Sequence, residues 1–355
     1  MFLVHLGYDL TNSWGLALVQ AKRLHDALVQ KFGLQLNIPI STFRYSGGPV
    51  AISLPYFKPV DTLRVILAEH DWLLLGGRPA DSETPRLLLS FWEKYRLQHP
   101  SHEVFKFDRD KLSRTIPVTI HGDGGRTQKK QPLEIVSLQA VIGLNTRAST
   151  EPLRCQCQTS LESGGGDFRS PSLNVKYNTL LTHFLGFAFP SKKYKDWPKL
   201  LQAILGEFCS NLALACREGV PHKNGQRFFV GVLGFKLDME WGAKAGMLTR
   251  SYQNVGHVNE RACCHECEAG LPGIPFEDAS SSAEWTKTRF VSVPWRGIPA
   301  WKDVPFDKSK EAMFLRRDSF HVFRLGIARN FVASCVFLLC YLRCCSASFN
   351  AFLLM

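Results

Sequence analysis

Between Pro117 and Tyr252 the apolar residues fall in an order that restricts the chain to few folds. PVTIHGDGG (117–125) reads as an apolar strand running into a Gly-rich turn, and LEIVSLQAVIGL (133–144) as a second strand. The Gly- and Ser-rich stretch 154–175 reads as a loop, and TLLTHFLGFAF (179–189) as a third strand. WPKLLQAILGEFCSNLALACREGV (197–220) repeats apolar residues at helical spacing and is closed by Gly219. RFFVGVLGFKLD (227–238) is a fourth strand, and EWGAKAGMLTRSY (240–252) reads as a helix. Strand, strand, strand, helix, strand, helix makes the expected class α/β.

That succession is the order of an RNase H-like core, expected over residues 111–255. Residues 1–110 read as a mixed, mostly helical N-terminal region, with helical periodicity over 16–31 and 85–98. Residues 256–310 read as a Cys/His-rich insertion followed by a Trp/Pro-rich loop, and 311–355 as an apolar helical segment. The run Phe331–Leu342 is too short to span a bilayer and is flanked by Arg329 and Arg343, so a buried helix is expected and no membrane partner.

Two acids stand where strands end. Asp123 follows PVTIH, and Asp238 follows FFVGVLGFKL. In an RNase H-like sheet the first and fourth strands are neighbours, so these carboxylates would face each other and could hold Mg²⁺ or Mn²⁺, whose hard character suits oxygen ligands. Each acid also has a plain structural reading, since Asp-Gly favours turns and Asp at a strand end caps the next helix.

Cys264 and Cys267 have the two-residue gap of a zinc knuckle, with His257 upstream and His321 downstream as candidate partners for a structural Zn²⁺. A reduced, buried cysteine cluster is the alternative. Cys155 and Cys157 form a weaker pair. The 11 cysteines do not resemble a secreted disulfide framework, and the opening MFLVHLGYDLTN has no basic segment ahead of its apolar run, so an intracellular protein is expected.

With 45% hydrophobic and 12% aromatic residues, global disorder is excluded. Lys plus Arg outnumber Asp plus Glu by 43 to 31, which favours a polyanionic partner. Arg126, Lys129 and Lys130 follow Asp123, while Lys192, Lys193 and Lys195 precede the long helix; both groups are candidates for phosphate contacts, against the alternative of a solvated charged surface.

HGDGGRTQKK, then GFKLDMEWGAKAGMLTRSY, CCHEC and RRDSFHVFRLGIARNFVASCVFLL together resemble transposase-like proteins present in many copies in some algal genomes. The arrangement is similar to DDE transposases of the CACTA and Kyakuja–Dileera–Zisupton kinds. The resemblance covers roughly residues 85–340 and implies a DNA-cleaving, nuclear protein, capable of homo-oligomerising. It assigns the first catalytic acid to Asp123, the second to Asp238, and an Asp-x-x-His motif to Asp318 and His321. The family's third acid follows that motif. After Asp318 this sequence has no Asp or Glu, so a truncated or degenerate core is expected, with Asp318 or Glu311 as substitutes. The alternative expectation is a non-catalytic DNA-binding or scaffold protein.

Overall fold

The computed structural model describes residues 36–126, 132–144, 179–192, 197, 199–255, 261–317 and 328–344. In chain order the principal elements are β1 (Ile40–Tyr45), β2 (Ile52–Phe57), α1 (Pro59–Glu69), α2 (Thr84–Gln98), β3 (Thr115–Arg126), β4 (Pro132–Ala140), β5 (His183–Pro190), α3 (Leu200–Arg217), β6 (Val220–Pro221), β7 (Arg227–Leu237), α4 (Met239–Ala245), β8 (Leu315–Arg317) and α5 (Arg329–Cys344). The class is α/β, with eight strands in a mixed sheet of order β1-β2-β5-β4-β3-β7-β6 and β8 paired to β7. The chain divides into two compact units, residues 1–233 with 298–309, and residues 234–297 with 310–355.

In the larger unit β3, β4 and β5 form an antiparallel meander. The β4–β5 register slips between Val136 and Ser137, where β5 carries the extra residue Gly186. Side chains normally alternate between faces. The extra residue resets that alternation, so Phe184, Phe187 and Phe189 all lie on one face, opposite Leu138, Val136 and Glu134. A Cβ on Gly186 would lie 2.4 Å from the Phe208 ring, so only glycine fits at the slip.

Helix α3 covers that face. Its buried residues, among them Leu201, Ile204, Leu205, Phe208 and Leu212, recur at three- and four-residue spacing. Phe187 meets Phe208 edge-on, ring centres 6.1 Å apart. Each fully buried Leu, Ile or Phe contributes about 1.5–3 kcal/mol, so this layer dominates the unit's stability. As expected, Gly219 ends the helix at φ +69. Tyr56 donates to Glu207 Oε1 at 2.9 Å, tying β2 to α3. Helix α2 seats Trp92, fully buried, where its Nε1–H donates to Thr115 O at 2.7 Å.

Residues 298–309 complete this unit. Trp301, Val304 and Phe306 are buried, and Phe306 O accepts the Glu103 N–H at 3.4 Å. Asp71, 1% exposed, accepts from Ala80 N at 2.8 Å and bonds His222 Nε2 at 3.0 Å. Burial opposes its charge, yet the Ala80 N–H, His222 and Lys223 together hold its pKa below the usual value.

In the smaller unit the end of β7 pairs in parallel with β8, Phe235 opposite Leu315. The Trp/Pro-rich segment returns to the chain after α4: Thr249 N donates to Pro294 O at 2.7 Å, and Leu248 bridges Trp295.

The described part of the N-terminal region is mixed and mostly helical, and adds two strands, β1 and β2, to the sheet. Three expectations are corrected. Strand β3 continues through Asp123 to Arg126, because β4 pairs with it residue for residue as far as Pro132. The helix after Asp238 stops at Ala245, followed by Gly246 and by Met247 at φ +48. Helix α5 is formed but not buried: Phe331, Val332, Val336, Phe337, Leu338 and Leu339 stand 49–70% exposed. Among the described residues no helix is long and apolar enough to cross a membrane.

Candidate functional site

In the larger unit, the face of the meander opposite the phenylalanines is largely polar, with Ile135 and Leu185 among its residues. Directly paired residues share a face. Thr119 pairs with Gln139, His121 with Ser137 and Asp123 with Ile135, while Gln139 also pairs with His183. Thr119, His121, Asp123, Ser137, Gln139 and His183 therefore lie together. Thr119, Ser137 and Gln139 are 5–8% exposed, whereas His121, Asp123 and His183 are half-buried. The two imidazoles approach to 6.0 Å between ring centres, with planes inclined at 64°. Thr119 Oγ1 is buried without a hydrogen-bond partner. Such a face offers one carboxylate, two imidazoles and hydroxyl oxygens, a donor set suited to a cation or a phosphate-bound water.

The smaller unit holds Asp238 and the cysteines. Asp238 is half-buried and caps α4, its Oδ1 accepting the Trp241 N–H at 2.5 Å. This is the structural role that the sequence offered as the alternative, and it leaves Oδ2 for other partners. Glu311 is half-exposed in the turn Lys308–Phe314.

Cys264 and Cys267 are brought together as their spacing implied, with a hydrogen bond between their side chains. Cys264 Sγ accepts the Glu266 N–H at 3.4 Å, and Cys267 is bonded by the backbone of Ala269. Each sulfur thus receives an amide from two residues downstream, a contact that by itself favours thiolate. As a free thiol Cys267 is pushed up to about 11, first by burial and then by Cys264. Among the described residues no three His, Cys, Asp or Glu side chains converge on one point. Arg250 is buried beside this turn, donating to Ser292 O and Ser292 Oγ, both at 2.5 Å.

Sequence reasoning does not single out His265, which lies inside the CCHEC motif. It is 2% exposed, and burial, reinforced by Arg317, pulls its pKa down to about 4. It bonds the Leu315 backbone, and its Nε2 finds no hydrogen-bond partner. Glu266 beside it is paired with Arg317 at 2.5 Å and with Arg289 at 3.3 Å. Nor does it single out His121 or His183. His121 stands two residues before Asp123, so strand alternation alone puts both on one face.

Of the basic candidates, Arg126 ends β3 and Lys192 is exposed just after β5. Lys129, Lys130, Lys193, Lys195, His257, Asp318 and His321 lie outside the described residues, as do Cys155 and Cys157. The chain matches no protein-family model, and no curated protein or solved structure matches it.

Proposed function

We propose that this chain derives from a cut-and-paste DNA transposase and keeps an RNase H-like nuclease core. The observation that carries the reading is the strand order β5-β4-β3-β7, with β3, β4 and β5 antiparallel and β8 parallel to β7. Taken as strands one to five of an RNase H-like sheet, these are β3, β4, β5, β7 and β8. Asp123 then lies on the first strand and Asp238 closes the fourth.

In this reading Asp123 and Asp238 hold Mg²⁺ or Mn²⁺, with Asp318 or Glu311 as the third acid. The carboxylate oxygens fit a hard cation, and Asp238 retains one oxygen beyond its cap. The bound ions would supply charge neutralisation at the scissile phosphate and a more acidic attacking water. Arg126, Lys129, Lys130, Lys192, Lys193 and Lys195 neutralise flanking phosphates. Cys264 and Cys267, with His257 and His321, hold a structural Zn²⁺; the amide bonds to both sulfurs support the thiolate pair. The protein acts on DNA in the nucleus, as a homo-oligomer. Residues 319–355 contain no acid, so within this sequence the third role falls to Asp318 or Glu311, poor substitutes that make the activity weak.

The test is cleavage of supercoiled and linear DNA with Mg²⁺ or Mn²⁺. Weak or undetectable turnover is expected. Robust turnover lost in both Asp123→Asn and Asp238→Asn would restore an active enzyme, and turnover surviving both changes would overturn the site. A second reading, a DNA-binding protein without catalysis, is favoured by the use of Asp238 Oδ1 as a helix cap. It requires binding that weakens steeply as salt rises; DNA affinity indifferent to salt would exclude both readings.

A further inference from the structure

We propose that His121 and His183 form a binding site for a borderline divalent cation such as Zn²⁺, Co²⁺ or Ni²⁺. The site lies on the polar face of the meander, separate from the cysteine pair, and the inference does not depend on the nuclease reading.

His121 is on β3 and His183 on β5, with β4 between them. Two strand spacings and a two-residue offset along the strands separate their backbones by roughly 12 Å, yet the ring centres are 6.0 Å apart. Both imidazoles therefore lean inward over β4, where the residue opposite His121 is the small Ser137. Two imidazoles on one tetrahedral ion, with Zn–N near 2.1 Å, place their ring centres about 5 Å apart. A small side-chain rotation closes that gap. The planes are inclined at 64° rather than stacked, so ring edges, which carry the nitrogens, can be turned toward a common point.

A second observation points to the same place. Thr119 is 8% exposed, shares this face, and its buried Oγ1 has no hydrogen-bond partner. A buried, unpaired hydroxyl is destabilising, a cost that a metal-bound water would remove. Asp123, next along the same face of β3, adds negative charge. Both histidines are half-buried, so the site is open to solvent and water can complete the coordination. Imidazole donors select Zn²⁺, Co²⁺ or Ni²⁺, whereas Mg²⁺ prefers oxygen.

The experiment uses the full chain without a histidine tag, carrying Cys264→Ser and Cys267→Ser so that the thiolates do not contribute. Calorimetric titration with Zn²⁺ should find about one site per chain. Adding His121→Asn or His183→Asn should weaken that site roughly tenfold or more, at least the loss seen for outer-shell changes in metal sites. Zn²⁺ affinity unchanged by both histidine substitutions overturns the proposal. If the cysteine changes unfold the protein, the wild-type chain serves, treated with diethyl pyrocarbonate and read by mass spectrometry. Zn²⁺, but not Mg²⁺, should protect His121 and His183 together while His70, 38% exposed, reacts at an unchanged rate. Equal modification with and without Zn²⁺ overturns it.

Discussion

The meander β3–β4–β5 has two faces that one set of strands presents at alternate residues. One face carries Val118, Ile120, Val136, Leu138, Phe184, Phe187 and Phe189, all no more than 3% exposed. The other carries Thr119, His121, Asp123, Ser137, Gln139 and His183, along with the half-buried Ile135 and Leu185. The alternation gives most of the apolar burial to one face and most of the polar side chains to the other. Substitutions on the first face should unfold the unit, while those on the second should leave it folded and change what it binds.

The strongest test of that division is deletion of Gly186. Without the extra residue, a one-residue slip reverses every side chain beyond it, and Phe187 and Phe189 would turn to the polar face. Loss of cooperative unfolding, followed by circular dichroism, is the expected outcome. A deletion variant that melts like the parent would break the two-face description. Next in size, Phe187→Ala removes a ring packed against Phe189 and Phe208 and should cost about 3–5 kcal/mol in urea denaturation.

A smaller effect comes from Glu134, a polar residue on the apolar face, opposite Phe189. It is 5% exposed, and its Oε2 has no partner. Glu134→Leu should stabilise by about 1 kcal/mol, because an unpaired buried polar group is removed. A loss of stability would mean that the carboxylate has a task there. Smallest of all, Ser137→Ala and His121→Asn should each change the unfolding free energy, read by urea denaturation, by less than about 0.5 kcal/mol, as for most substitutions without a core role. A large loss from either would mean that the polar face is structural.

The strands of this meander were legible because each runs eight residues or more with a consistent apolar face. Helix α3 was legible because its buried residues keep helical spacing through five turns. Strands β1 and β2 were not, since ISTFRY and ISLPYF are short and Pro55 argues against a strand interior. β8, three residues long, exists only through its pairing with β7. Helix α5 shows a different limit: apolarity says that a helix needs cover, and not that cover is present. At the candidate site, Asp123 and the Cys264–Cys267 pair could be read locally. The His121–His183 approach could not, because it depends on the β4–β5 register, which no local pattern encodes.

The larger unit is interrupted in sequence: residues 234–297 intervene before 298–309 return to it. Trp301, fully buried, and Phe306, bonded through its carbonyl to Glu103, belong to that returning segment. During synthesis, therefore, the first unit begun cannot be finished until much of the second has been made. Its core waits, with a tryptophan-sized gap, until the ribosome has passed residue 309, and the intervening sequence emerges while that gap is still open. Domains usually fold in order of emergence at about 5–20 residues per second. Here the delay imposed by residues 234–309 becomes a window of several seconds in which a chaperone can act or aggregation can begin.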